Sequence, residues 1–451
     1  MNYFSINLRG IFRVLSNFRL SFFLILCFIL GGTSQDVVAP KLPLYLFSLV
    51  IIGACLMVLN RSSALWKLKG LMLIFGALFI GHLIYLIPLP PEIWSNLPGR
   101  EFVAQGYSTL GAELPWLPLT MTPEKTLFSV FDYFPAIALV LMIGTVVSSN
   151  EIRLAFATIG IFGICIVILG IFQVSRITEI LHFYSFTNEK TAVGFFSNSN
   201  HYGIFLLMLI PIAMCAFNYV QSFYQEEANH RLTFSIICIF ASLMGIGASG
   251  SLGANLLIFP TLAAIFYIWS SSAKKKNIYL IGMIASIAAV FLFDMFVWGN
   301  LKQELLGKFT SIEPSTRQIM FENSYHMSKT FFPFGTGPGS FADVYRLVEQ
   351  AGRKTIPHAH NDYIEMVSEY GIFGVFWMLM ALIWIGKNIF KAMFYRAKSN
   401  RLAQYMSVCI VIPLIHSVFD YSLRTISVMT LFIFCLSILT LSNQNSLFEE
   451  K

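Results

Sequence analysis

The densest group of reactive side chains in this 451-residue chain runs Pro357-His358-Ala359-His360-Asn361-Asp362-Tyr363-Ile364-Glu365, with Glu369 one turn further on. Histidine titrates near neutrality and can accept a proton from a hydroxyl. Pro357 breaks what precedes it, so the pattern predicts a helix that starts around His358–Asn361 and runs into the apolar stretch from Gly371. His360 then sits at a helix N-terminus, where unpaired N–H groups and the helix dipole favour an anion such as a phosphate. That setting suits proton transfer beside a sugar diphosphate on a lipid carrier. The same letters also read as H-x-H-x-D, the opening of a metallohydrolase site, and His360 also reads as a structural surface histidine. Glu365 and Glu369, four apart, read either as a second acid pair or as the wet face of an entering helix.

Other segments carry smaller signals. Gly335-Thr336-Gly337-Pro338-Gly339 reads as a loop whose backbone at Gly337 and Gly339 can approach a diphosphate, or as a plain turn. Asn198, Asn200 and His201 open an apolar run and can cap a helix or touch substrate. Asp132 and Asp294 lie inside apolar stretches, which calls for a cavity or a partner. The seven cysteines all fall in apolar runs and read as packing residues. No GxxxxGK[ST] loop occurs, so a reaction here must use an already activated substrate.

The elements that position these residues follow from composition. Hydrophobic residues make up 56% of the chain and charged residues 12%, too little charge to cover a soluble protein of this size. The chain reads as an all-α polytopic membrane protein, with about twelve runs near the ~20 residues that a bilayer requires. Spans one to nine occupy 1–298, with a smaller outer loop at 88–126. A large outer loop at 299–370 carries the histidine motif. Spans ten to twelve and a short tail occupy 371–451. The pair Leu232–Ala248 and Ala254–Ser270, joined by Ser249-Gly250-Ser251-Leu252-Gly253, reads either as two spans or as one re-entrant pair. Lysine and arginine crowd the short loops on one side, so both termini are expected in the cytoplasm and the two large loops outside. Of the eight histidines, only His230 falls inside. The scattered basic residues form no nucleic-acid footprint, and the lipid bilayer is the expected partner.

Four segments together resemble the O-antigen ligase and O-antigen polymerase superfamily. His360-Asn361, Gly371 and Gly374 match its H-N-x9-G-x-x-G signature. Asn198-Ser199-Asn200-His201 looks like its N-x-N-H segment, Gly335–Phe341 its G-x-G-P-G-S-F loop, and His416-Ser417-Val418-Phe419-Asp420 its H-S-x-x-D segment. The resemblance implies a GT-C-like glycosyltransferase of the bacterial inner membrane. It would move a glycan from undecaprenyl diphosphate to a hydroxyl of a glycan, lipid or other acceptor, on the periplasmic side and with inversion, needing no metal or cofactor.

By the same resemblance, His360 is the catalytic base or diphosphate partner, and Arg317 contacts the diphosphate. Asn361, Asn200 and His201, with Gly337 and Gly339, lie in the matched segments and are candidate substrate contacts, and His358 beside them reads equally as a structural or a substrate-site residue. The family often has arginines where this chain has Leu252 and Thr191, and Lys190, Arg353 and Lys354 are the basic residues available instead. A ligase joining polysaccharide to lipid A core or a similar acceptor is the first reading, and a polymerase joining repeat units on the carrier is the second. A protein O-oligosaccharyltransferase and a transporter or flippase are the lesser alternatives. A metal chelator is expected to leave activity unchanged, and inhibition by it would return the H-x-H-x-D reading.

Overall fold

A computed structural model describes residues 17–33, 39–59, 64–175, 181–219, 228–270, 316–349, 356–395 and 400–444. Its main helices in chain order are α1 (Arg19–Leu30), α2 (Leu42–Met57), α3 (Lys69–Tyr85), α4 (Pro123–Thr145), α5 (Ser149–Val174) and α6 (Ser199–Tyr219). They continue with α7 (Ala228–Ser249), α8 (Leu252–Ser270), α9 (Thr316–Thr330), α10 (Asp362–Phe390), α11 (Arg401–His416) and α12 (Ile426–Ser442). Helices are the natural outcome, because hydrocarbon offers no partner to an unpaired backbone group.

Among the described residues, seven helices are long and apolar enough to cross a membrane: α2 with its lead-in, α4 to α8, and α10. α1, α3, α11 and α12 are apolar but shorter. The chain is a multi-pass membrane protein. The expected ninth span, near 278–298, lies outside the described residues. α7 and α8, at 22 and 19 residues, are each long enough to cross rather than being two short re-entrant halves. The fold is mostly helical, as expected, with one two-residue ladder in which Pro88–Leu89 (β1) pairs antiparallel with Leu117–Pro118 (β2) within 88–126.

α6 is the central helix, with 94% of its apolar window buried. Lipid is as apolar as leucine, so close packing rather than water exclusion holds such helices together. Gly245 of α7 illustrates this: a Cβ there would stand 2.4 Å from the Leu206 side chain of α6. The two helices run antiparallel, since Ser235 near the start of α7 donates to the Ala213 carbonyl late in α6 at 2.8 Å. Six of the seven free cysteines are buried and Cys165 is exposed.

The bundle has two unlike polar ends. At one, the Arg19 guanidinium meets Glu151 at 3.2 Å, and Asn400 donates to the Ser442 carbonyl at 2.9 Å. α1 leads ~18 Å away from there, to where the Gly31 carbonyl accepts from Ser427 N at 3.1 Å and the Gly32 carbonyl from Ser197 N at 3.0 Å. At this second end the segments around residues 198–202, 356–362 and 416–425 meet. Asp132, the acid for which the sequence required a partner, pairs there with Lys41 at 3.0 Å.

α10 breaks at Gly371, whose φ of +53° and ψ of −133° leave the helix. Such a break frees the carbonyls of Ser368 and Glu369, and each must find a new donor. The glycine loop supplies them: Thr336 N donates to Ser368 O at 3.0 Å and Gly337 N to Glu369 O at 2.8 Å. Pro333 O in turn accepts from Ile372 N at 2.8 Å. A Cβ on Gly371 would lie 2.1 Å from that Pro333 oxygen. Gly371→Ala is therefore expected to cost at least the ~1–3 kcal/mol of a residue held in a sparsely populated conformation. A thermal melt of the purified variant checks this, and an unchanged midpoint would show that the kink is not required.

Candidate active site

Asn361 starts α10. Its Oδ1 accepts from Tyr363 N and Ile364 N, both at 3.0 Å, and its Nδ2 donates to the Val418 carbonyl at 2.9 Å. Asp362 N donates to Ser417 O at 2.9 Å. This corrects one expectation from the sequence. The first N–H groups of the helix are already paired, so they do not form an anion cradle. Asn361 acts instead as a cap that ties α10 to the end of α11.

His360, immediately before that cap, has φ of +50°, the one positive value at a non-glycine among the described residues. A side chain held in this region is strained, and such strain persists where the surroundings over-determine it. Here the surroundings are Asp420 and Tyr421. His360 Nδ1 lies 3.2 Å from Asp420 Oδ1, and its ring meets Tyr421 edge-on at 4.9 Å. The side chain of His360 remains partly exposed at 23%, while that of Asp420 is buried at 1%. Asn200 Nδ2 donates to Asp420 Oδ2 at 2.6 Å, and His201 Nε2 stands 3.8 Å from Oδ1. Burial opposes the charge of Asp420, but hydrogen bonds and charge from His201 and His360 outweigh it and hold the carboxyl well below its ordinary range.

His358 is buried and serves a second cluster. Its Nδ1 lies 2.8 Å from Glu365 Oε1, and its ring stacks on Tyr421 at 4.2 Å. Glu365 Oε1 also receives Arg424 Nε at 3.1 Å, while Glu369 Oε2 receives Arg424 Nη2 at 2.9 Å. Asp362 Oδ1 lies 3.7 Å from Arg424 Nε, and its Oδ2 accepts from Ser417 Oγ at 2.6 Å. Glu365 and Glu369 are therefore not a wet face. Both are buried, because an arginine from the turn before α12 reaches over them. Burial works against the charge of Arg424, but Glu365, Glu369 and Asp362 outweigh it and raise its pKa well above the ordinary value. The three side chains of H-x-H-x-D turn to different partners, and no cluster of three or more His, Cys, Asp or Glu among the described residues is arranged to hold a metal ion.

The remaining sequence candidates divide. Asn200 and His201 join the Asp420 cluster, although His201 is fully buried and faces Thr425 Oγ1 at 2.6 Å on its other nitrogen. Gly337 is buried against the segment 88–126, where a Cβ would meet Thr120 Oγ1 at 2.0 Å, and Gly339 packs near the Lys125 carbonyl. These glycines admit protein rather than a diphosphate. Lys190 is exposed on a turn before Thr191. Arg317 lies on α9, of which only the backbone is described at that position, and Arg353 and Lys354 lie outside the described residues. The elbow at Gly253, beside Leu252, packs on the ring of His416.

Asp420, Tyr421 and Arg424 are the site residues that sequence reasoning left without a role. Their signal was present: three polar side chains in a turn of a few residues between two apolar helices, where charge is scarce.

A multi-pass helical protein with its polar side chains gathered at one end around a histidine is the class that the fold and site define. Residues 237–379 match the family model for O-antigen ligase, so this part of the chain is similar to the O-antigen ligase and polymerase superfamily. No curated protein matches the chain. The matched region includes His360, Asn361, Gly371 and Gly374 but ends before Asp420 and Arg424, which the fold returns to the same place.

Removing one partner from a buried charge cluster leaves the others uncompensated, at ~3–5 kcal/mol. Arg424→Met is expected to lower the melting midpoint accordingly. The loss should be largest at neutral and higher pH and smaller on acidification, when the stranded carboxylates take up protons. Melts of the purified variant and wild type across pH check this, and a deficit independent of pH would contradict the charge assignment.

Proposed function

We propose that this protein is a GT-C-like glycosyltransferase of the ligase type. It transfers a glycan from undecaprenyl diphosphate to an acceptor hydroxyl on the periplasmic side of the inner membrane, with both termini in the cytoplasm. The observation that carries this reading is His360, partly exposed in a strained backbone conformation and 3.2 Å from the buried, ionised Asp420.

In this reading Asp420 holds the Nδ1 proton of His360 and keeps Nε2 as the base. Nε2 takes the proton of the acceptor hydroxyl, and the acceptor oxygen forms its bond to the anomeric carbon. The bond from that carbon to the diphosphate oxygen breaks with inversion, and the diphosphate departs as an anion. Asp420 then balances the imidazolium, as carboxylates do for catalytic histidines generally.

Arg424 is already ion-paired with Glu365 and Glu369, so we assign the diphosphate to another cation. That role falls to Arg317, with Lys190, Arg353 and Lys354 as the further basic residues of the outer side. The match to the family model supports ligase-type and polymerase-type transfer alike, and the ligase is our first reading.

His360→Ala is expected to abolish glycan transfer while the protein stays in the membrane at normal abundance. Transfer is read from the glycan profile of a deletion strain carrying the variant. Full-length polymer stranded on the carrier is the expected result. Single capped repeat units would indicate a polymerase instead, and near-normal glycan would remove His360 from the chemistry.

A further inference from the structure

A cavity of about 210 Å3 lies beside the site, between the start of α2 and helices α3, α4, α10 and α12. Its deeper wall is apolar, formed by Leu71, Phe75, Trp377 and Leu436. Its upper end is polar, with Lys41, His82, Asp132, Glu369 and Arg424 among its lining. His358 also lines it, and through Tyr421 the cavity wall adjoins His360. An apolar shaft under a polar ceiling is the shape of a site for an amphiphile.

The charges identify the headgroup. Both cations at the ceiling are engaged, Lys41 with Asp132 at 3.0 Å and Arg424 with Glu365 and Glu369 at 3.1 and 2.9 Å. Acids outnumber bases on the lining, where Asp132, Asp362 and Glu369 face Lys41 and Arg424. A phosphate or diphosphate entering here would find each cation already paired with a carboxylate. The ceiling is rich in groups that hydrogen-bond hydroxyls: His82 holds Ser129 Oγ at 3.2 Å and Tyr370 Oη at 3.1 Å, and Tyr133 stands edge-on to it at 5.3 Å.

From this we infer that the cavity binds a single-chain amphiphile with an uncharged, hydroxyl-bearing head, and that the diphosphate is bound elsewhere. Naming that ligand as the acceptor rests on the transferase reading; the binding itself does not.

Photo-labelling of the full-length protein in native nanodiscs tests it. The two probes are an alkyl glucoside and an alkyl phosphate of equal chain length, each with a diazirine in the chain. The glucoside should label peptides from α3 and α12 about tenfold more than the phosphate, a preference of ~1.4 kcal/mol. Excess octyl glucoside should compete. Ala381→Phe, which fills the cavity from α10 where Ala381 forms part of the wall, should suppress the labelling, with a thermal melt as the folding control. Asp132→Asn, which releases Lys41, should raise labelling by the phosphate probe. Equal labelling by both probes in the wild type, labelling that Ala381→Phe leaves intact in a folded protein, or no gain of phosphate in Asp132→Asn would each overturn the inference. Labelling needs no transfer, so its failure leaves the His360 reading standing, and an active His360→Ala leaves the cavity assignment standing.

Discussion

The contact of Arg424 with Glu365, Glu369 and Asp362 holds the His360 end of this protein together. Three carboxylates on successive turns of one short helix would repel one another and resist burial. One guanidinium from the turn before α12 makes their burial tolerable. It thereby fixes where α10 begins relative to α12, and Asn361, His360 and His358 follow from that beginning. Glu365 passes the constraint directly to His358 through Oε1 and to Ala359 N, which it accepts at 2.7 Å through Oε2. Glu369 passes it to the glycine loop, accepting from Phe341 N at 3.3 Å.

The spacing of the H-N-x9-G-x-x-G segment acquires a mechanical meaning in this frame. Asn361 caps the helix and Gly371 ends its first, straight part, so the nine intervening residues form a short rod of fixed length. One end of the rod is pinned to α11 through Val418 and Ser417. The other is pinned to Pro333 and to the glycine loop. That loop packs in turn on the segment 88–126, where Met121 N donates to Thr336 O at 2.8 Å and Thr126 Oγ1 to Pro338 O at 2.7 Å. These two segments, far apart in the chain, pack as one unit, and its glycines serve protein packing.

Tyr421 divides the chemistry into two compartments. Its ring touches His358, His201 and His360 at 4.2, 4.7 and 4.9 Å. On one side Asp420 organises His360, His201 and Asn200. On the other the Arg424 cluster organises His358 and forms part of the cavity ceiling. Two histidines separated by one residue therefore have different partners. The left-handed backbone at His360 is the local cause, because it turns that side chain away from the direction His358 takes.

Much of the architecture was legible from the sequence, because burial in lipid imposes a long apolar run for every crossing and leaves few places for charge. The long apolar helices therefore coincide with expected runs wherever the chain is described, while α9 lies in what reads as a loop, and the polar segments quoted from four separate regions are those near the His360 end. His360, the cap at Asn361 and the break at Gly371 were likewise readable, since residue type alone limits what each can do. Partnership was not. Glu365 and Glu369 look like a wet helix face until Arg424, some 55 residues later, folds over them. Asp132 has no evident role until Lys41 reaches it, and the helix N-terminus looks open to an anion until Ser417 and Asn361 take its donors. Sequence determined that the charges are few and which end of each apolar run they occupy. Only tertiary structure decided which of them neutralise one another, because pairing depends on distance in space and the partners lie on helices that the chain does not visit consecutively.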